Sequence, residues 1–162
     1  MMPLPMLCLI IMRHAEAEPQ TVGTDHARPL TQRGRSDARA MTQKLAASGW
    51  SPTRILSSDS QRTRETSAGL AEAFEAPVSW HAPLYLGGTE AVEEVLGGCM
   101  PTDATVLLLG HNPGFSEVAS LLAGGHVSLG TAHAALLSVD AKDWTEALTL
   151  AGSWTLEAHI TP

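Results

Sequence analysis

The chain has 162 residues and a formal net charge of −7, enough length for one domain with a proper core and the wrong sign for a general binder of nucleic acid. Its apolar fraction of 44% is ordinary for a globular protein, so any cationic site must be local. The two cysteines, Cys8 and Cys99, make no disulfide framework; a reducing compartment, hence the cytoplasm, is the expectation.

The first element is the apolar run of residues 6–12, which has strand length and the continuous hydrophobicity of a strand covered on both faces. It stops at Arg13-His14. The stretch MMPLPMLCLIIM with the following Ala15-Glu16-Ala17 also resembles a secretory leader, but no Lys or Arg precedes the apolar residues, and the run is too short to span a bilayer. No membrane partner is therefore expected. A loop rich in Pro, Gly, Thr and Asp leads to Thr31, which is placed to cap a helix over 32–47; Ala38, Met41, Leu45 and Ala46 form its apolar stripe and Gly49 its stop. Residues 53–57 read as a second strand, 59–75 as a helix closed by Pro77, and the residues around 80 as a short edge strand. A short helix over 89–97 lies between Gly pairs. Residues 105–109 are another continuous apolar run, ending at Gly110-His111-Asn112-Pro113-Gly114, and a helix follows over 115–123. Two alternating strands, about 132–139 and 153–160, close the chain through a polar connection.

Strands separated by helices predict an α/β fold over 1–162: a single three-layer domain with a mostly parallel, mixed central sheet and helices on both faces. Three of the strands share one feature. Each ends and is followed at once by polar or cationic residues: Arg13-His14, then Ser57-Ser58 leading to Arg62, then His111-Asn112. Ligands of open α/β sheets bind outside the carboxyl ends of the strands, so these residues are expected on one rim, with Arg28 in reach from the first loop. Guanidinium groups match the paired oxygens of a tetrahedral anion, and a neutral imidazole supplies a nucleophilic nitrogen. Attack of a histidine on phosphorus is the chemistry these residue types suggest. No cofactor and no metal is expected: His26, His81, His126, His133 and His159 lack metal-ligand spacing and read as structural or surface residues.

MRHAEAE (12–18), DHARPLTQRG (25–34), ILSSDSQRTRET (55–66) and LLGHNPG (108–114) together resemble the histidine phosphatase superfamily, with its phosphoglycerate mutase-like fold, and within it the SixA-type phosphohistidine phosphatases. The resemblance implies that His14 becomes phosphorylated, that Arg13, Arg62 and His111 hold the phosphoryl group, that Arg28 contributes, and that Asn112 and Ser58 orient the pocket. Ala15 stands where the superfamily usually has glycine, Asp59 where proline is common and Glu65 where glutamine is. A proton donor is harder to find, with Glu90 and Glu16 as the candidates. A weak donor would favour the labile P–N bond of phosphohistidine in proteins over an alkyl phosphate. The expected partner is thus a phosphorylated protein, with a small phosphoester as the alternative and a non-catalytic phosphate-binding module as the reading from another class.

Overall fold

The computed structural model describes residues 3–21 and 23–162. Six strands form one sheet: β1 (Met6–Arg13), β2 (Arg54–Ser57), β3 (Val78–Trp80), β4 (Thr105–Gly110), β5 (Ala134–Asp140) and β6 (Thr155–Ile160). Their order is β3-β2-β4-β1-β5-β6. The first four are mutually parallel, while β5 runs antiparallel to β1 and β6 antiparallel to β5, giving the mixed sheet read from the sequence. Five helices complete the fold: α1 (Gln32–Ala47), α2 (Gln61–Phe74), α3 (Thr89–Gly97), α4 (Gly114–Ala123) and α5 (Trp144–Leu148).

The alternation of side chains along β1 divides the core in two. Leu7, Leu9 and Ile11 pack with Val92 and Leu96 of α3, Phe115 and Val118 of α4 and Trp144 of α5. Ile10 and Met12 face the other way, against Ala38, Met41 and Leu45 of α1 and Leu70 of α2. Every one of these residues except Ala38 is under 3% exposed, which is why β1 reads as an unbroken apolar run rather than an alternating one.

Local chemistry sets the ends of the elements. Thr31 caps α1 by accepting from the Gly34 amide, and Ser60 caps α2 by accepting from that of Thr63. The second helix thus starts two residues later than its apolar pattern suggested, and Glu75 in a left-handed conformation (φ 51°) ends it before Pro77. The polar connection expected between the last two strands holds α5, where Asp143 caps by accepting from the Glu146 amide and Trp144 is buried. No helix among the described residues is long and apolar enough to cross a membrane.

The order of the central strands gathers the chemistry. Within the sheet Arg13 lies opposite Gly110 and Ser57 opposite Leu109, so the carboxyl ends of β1, β2 and β4 are level. Past those ends the His14 amide donates to the Gly110 carbonyl (3.0 Å) and the Ser58 amide to that of Leu109 (2.9 Å). His14, Ser58 and His111 therefore emerge side by side.

Candidate active site

His14 and His111 sit at the bottom of the rim, each 7% exposed, with ring centroids 5.1 Å apart. Burial pushes the His14 imidazole down to a pKa of about 4, helped by the positive charges of Arg62, Arg13 and Arg28, so the ring is neutral at physiological pH. Its Nδ1 lies 2.7 Å from the Ala15 carbonyl oxygen, which can only accept; Nδ1 must carry the proton, and Nε2 keeps its lone pair. His111 is held neutral by the same desolvation and by His14, with a pKa of about 3. Its Nε2 meets the Ser58 hydroxyl at 2.8 Å, while its buried Nδ1 has no partner.

Two arginines show the same incomplete satisfaction. Arg62, 5% exposed on the first turn of α2, donates through Nη1 to the Asp25 carbonyl (2.8 Å) and through Nη2 to the Asp25 carboxylate (3.1 Å), which leaves its buried Nε unpaired. Arg13 donates through Nη1 to the Leu129 carbonyl (3.2 Å), and its Nε is likewise buried without a partner. Orphaned buried donors are rare, because each costs about 1–3 kcal/mol. Three of them around one neutral, oriented imidazole describe a receptor for an oxyanion.

The remaining sequence-derived candidates fall into distinct places. Arg28 donates from Nε to Asp25 (2.8 Å) and from Nη1 to the Glu18 carbonyl (2.8 Å), close enough to His14 for its charge to act there. Ser58 touches His111, as above. Asn112 is committed within the protein: its amide nitrogen donates to the Leu129 carbonyl (2.6 Å), and its oxygen accepts from the amide and hydroxyl of Ser116. It fixes the same carbonyl that receives Arg13, and so bears on the pocket through that arginine. Glu16 points to the start of α1, accepting from the Thr31 hydroxyl (3.3 Å) and lying 3.9 Å from Arg33. Glu90 is exposed in the first turn of α3, with no ionic or hydrogen-bonded partner among the described residues. Neither carboxylate is bonded to the histidines or to Arg13, Arg28 or Arg62. Ala15 is fully buried, and its φ lies outside the left-handed region, so the Cβ that replaces the usual glycine is accommodated.

Asp25, Tyr85 and Thr66 complete the site without having been singled out from the sequence. Asp25, in a 3₁₀ turn over Asp25–Ala27, receives Arg28, Arg62 and the Tyr85 hydroxyl. The bond from Tyr85, then the two arginines, hold its carboxyl down at about 2. Thr66 accepts from the Ala15 amide (3.1 Å) and donates to the Arg62 carbonyl (2.7 Å), tying the loop after β1 to α2. An acid three residues before Arg28 was the one readable signal for Asp25.

A sheet rim carrying two neutral histidines and three arginines, two of them with unpaired buried donors, is that of an enzyme handling a phosphoryl group. The model of the histidine phosphatase superfamily (branch 1) matches residues 9–84. Over 168 aligned residues the chain is 37% identical to an uncharacterized chloroplastic protein of Arabidopsis thaliana, covering 95% of this chain and 77% of that one. Its structure superposes on that of a protein designated phosphohistidine phosphatase SixA from Nakamurella multipartitia with a TM-score of 0.88, 26% identity and 99% of each chain covered. A mycobacterial glucosyl-3-phosphoglycerate phosphatase shares the fold at a TM-score of 0.68 and 18% identity, over 94% of this chain and 98% of that one. The chain belongs to the histidine phosphatase superfamily, in its SixA-type branch, and is a phosphatase.

Proposed function

We propose that this phosphatase works through a phosphohistidine at His14 and removes phosphate from phosphohistidine in proteins. The observation that carries the reading is the trio of unpaired buried donors, Arg13 Nε, Arg62 Nε and His111 Nδ1, grouped around an imidazole whose Nε2 lone pair is free. A phosphoryl group placed there gives each orphan its acceptor. Nε2 then attacks phosphorus, the N–P bond forms, and the bond to the leaving atom breaks with its electron pair going to that atom. Water attacks the phosphoenzyme next, and the N–P pair returns to Nε2. When the Ser58 hydroxyl donates to His111 Nε2, the proton of the neutral ring is on Nδ1, which is then a donor for a phosphoryl oxygen.

The mouth of the site supports a macromolecular substrate. Beyond His111 it is flanked by Tyr85 and by the half-exposed His26, and Leu86, next in sequence to Tyr85, is 85% exposed. A phosphorylated side chain on another protein's surface can reach in past such a rim, and exposed Leu86 gives it an apolar contact. The likeness to the SixA-designated protein agrees with this choice.

His14→Ala should abolish turnover while leaving the far-ultraviolet spectrum and melting temperature near wild type. Acid-labile phosphate should appear on the wild type and not on the variant in rapid-quench experiments. Near-normal turnover by His14→Ala would remove the proposal. A panel of phosphohistidine protein against small phosphoesters decides the substrate, with the higher kcat/KM expected on the protein.

A further inference from the structure

Both chemical steps need a proton carrier. The leaving atom must gain a proton as it departs, and the water that attacks the phosphoenzyme must lose one. The groups nearest the phosphoryl site are unsuited. Asp25 is ionised, with its carboxyl held down at about 2, and is occupied by Arg28, Arg62 and Tyr85. The Tyr85 proton is engaged by Asp25, and burial and that carboxylate push the phenol up from its ordinary value. His111 is neutral, with its pKa pushed down to about 3. Glu16 is engaged by Thr31 and Arg33 at the start of α1, and Glu90 has no contact among the described residues that ties it to the histidines.

His26 is a titratable side chain that ring contacts join to the histidines. His26 follows Asp25 directly, so its backbone adjoins the carbonyl that receives Arg62. Its ring packs edge-on against Tyr85 at 4.9 Å, and Tyr85 packs against His111 at 5.3 Å. With His14 these rings form a wall of four, running from the buried nucleophile to a side chain that is 45% exposed. In-line attack by His14 sends the leaving atom off on the side of phosphorus away from that ring. His26 Nε2 lies 2.9 Å from the Asp59 carboxylate, while Nδ1 makes no hydrogen bond among the described residues. Asp59 is held below its ordinary carboxylate value chiefly by that bond, and its backbone carbonyl is in turn gripped by Arg64 (2.9 Å). An ionised carboxylate on one nitrogen fixes the tautomer and leaves the other nitrogen to exchange a proton, the logic by which an acid–histidine pair works in other hydrolases.

Building on the phosphoenzyme reading, we propose that His26, oriented by Asp59, is the proton carrier of this reaction. In the first step His26 enters as the imidazolium, its Nε2–H held by Asp59, and Nδ1–H passes its proton to the leaving oxygen or nitrogen as the P–X pair moves onto that atom, which leaves the ring neutral. In the second, Nδ1 takes a proton from the attacking water as the O–P bond forms and the N–P pair returns to His14. The Asp59 that stands where relatives commonly carry proline thereby acquires a task. The supply of a proton also removes any need to restrict the substrate to bonds that break unaided, so the preference for phosphohistidine rests on the open mouth.

The test is a leaving-group series. For His26→Gln, kcat/KM on phenyl and alkyl phosphates should fall by about 10²- to 10³-fold, the range for loss of an acid–base catalyst. The loss should shrink steadily as the leaving-group pKa falls, to about tenfold or less for dinitrophenyl phosphate, whose oxygen departs without a proton. Asp59→Asn should give the same trend with smaller losses, and serves if the His26 variant folds poorly. Phosphoenzyme should also accumulate in His26→Gln, because its hydrolysis lacks a base. A loss of equal size on every leaving group, or no loss at all, would show that the pair merely clasps two loops and would overturn the proposal. Turnover by His14→Ala on the same series would overturn the phosphoenzyme instead, so the two failures are distinguishable.

Discussion

A guanidinium that grips a phosphoryl group must itself be held by something, and here the holder is Asp25. Its carbonyl and carboxylate occupy both Nη atoms of Arg62, and its other carboxylate oxygen receives Arg28. Asp25→Asn keeps the shape and removes the charge that fixes both arginines. We expect kcat to fall by about 10- to 100-fold, since small misplacements of a catalytic group cost that much. Inhibition by inorganic phosphate should not weaken, because a negative charge has left the neighbourhood of an anion site. Unchanged kcat would show that Arg62 is placed by its helix alone. Arg13, His14 and His111 were legible because each stands at the end of an apolar strand, a pattern that survives in one dimension, while Arg62 and Arg28 were found through the segments that follow those strands. Asp25, Tyr85 and Thr66 were not. The first two come from or beside 3₁₀ turns, which have no periodicity to read, and the third acts through a hydroxyl on the inner face of a helix.

At the scale of the element, the loop after β1 is set against the start of α1, and Gly34 makes that approach feasible. A Cβ at Gly34 would overlap the Glu16 carbonyl oxygen. That oxygen also accepts from the Thr31 amide (3.0 Å), so the loop has little freedom to move aside. In an exposed helix Gly→Ala gains about 1 kcal/mol. Here backbone overlap wins, and Gly34→Ala should destabilise by about 1–3 kcal/mol, the usual cost of overpacking. Turnover should drop as well, since Glu16 lies two residues from His14. Urea unfolding with parallel kinetics checks both, and a stabilised, fully active variant would refute the argument. The long elements could be read because their apolar residues repeat over several turns or fill a whole strand. Helix α5 could not: five residues hold little more than one turn, and the burial of Trp144 depends on α3 and on the Asp103 carbonyl that takes its indole N–H. The switch of β5 to antiparallel pairing was suggested by the alternating pattern of the last strands. The placement of β4 between β1 and β2, which makes the three rim segments adjacent, is a long-range outcome that no local pattern carries.

For the whole molecule, the site is an electrostatic cost carried by the rest of the fold. A chain of net charge −7 gathers Arg13, Arg28 and Arg62 around two imidazoles that burial keeps neutral. Both histidines have native pKa values, about 4 and about 3, below the unfolded value of about 6.5. Between those limits the unfolded chain binds protons that the native protein refuses, so stability must fall as pH drops. At pH 5 the loss relative to pH 7 is about 2 kcal/mol for each histidine, at 1.36 kcal/mol per pH unit below the unfolded value. Asp25 acts in a lower window: its depressed pKa stabilises the fold above the unfolded value of 3.8 and is lost only as pH falls toward 2. Urea titrations at pH 7, 6 and 5 should therefore show a steady decline, and His111→Gln should decline about half as steeply. His14, the proposed nucleophile, behaves differently. His14 stays neutral until pH approaches about 4, so kcat/KM per folded molecule, after allowance for substrate ionisation, should hold at pH 5 while stability is already falling. A kcat/KM that fell in step with a group titrating near 6.5 would mean that the His14 imidazole is not desolvated as described.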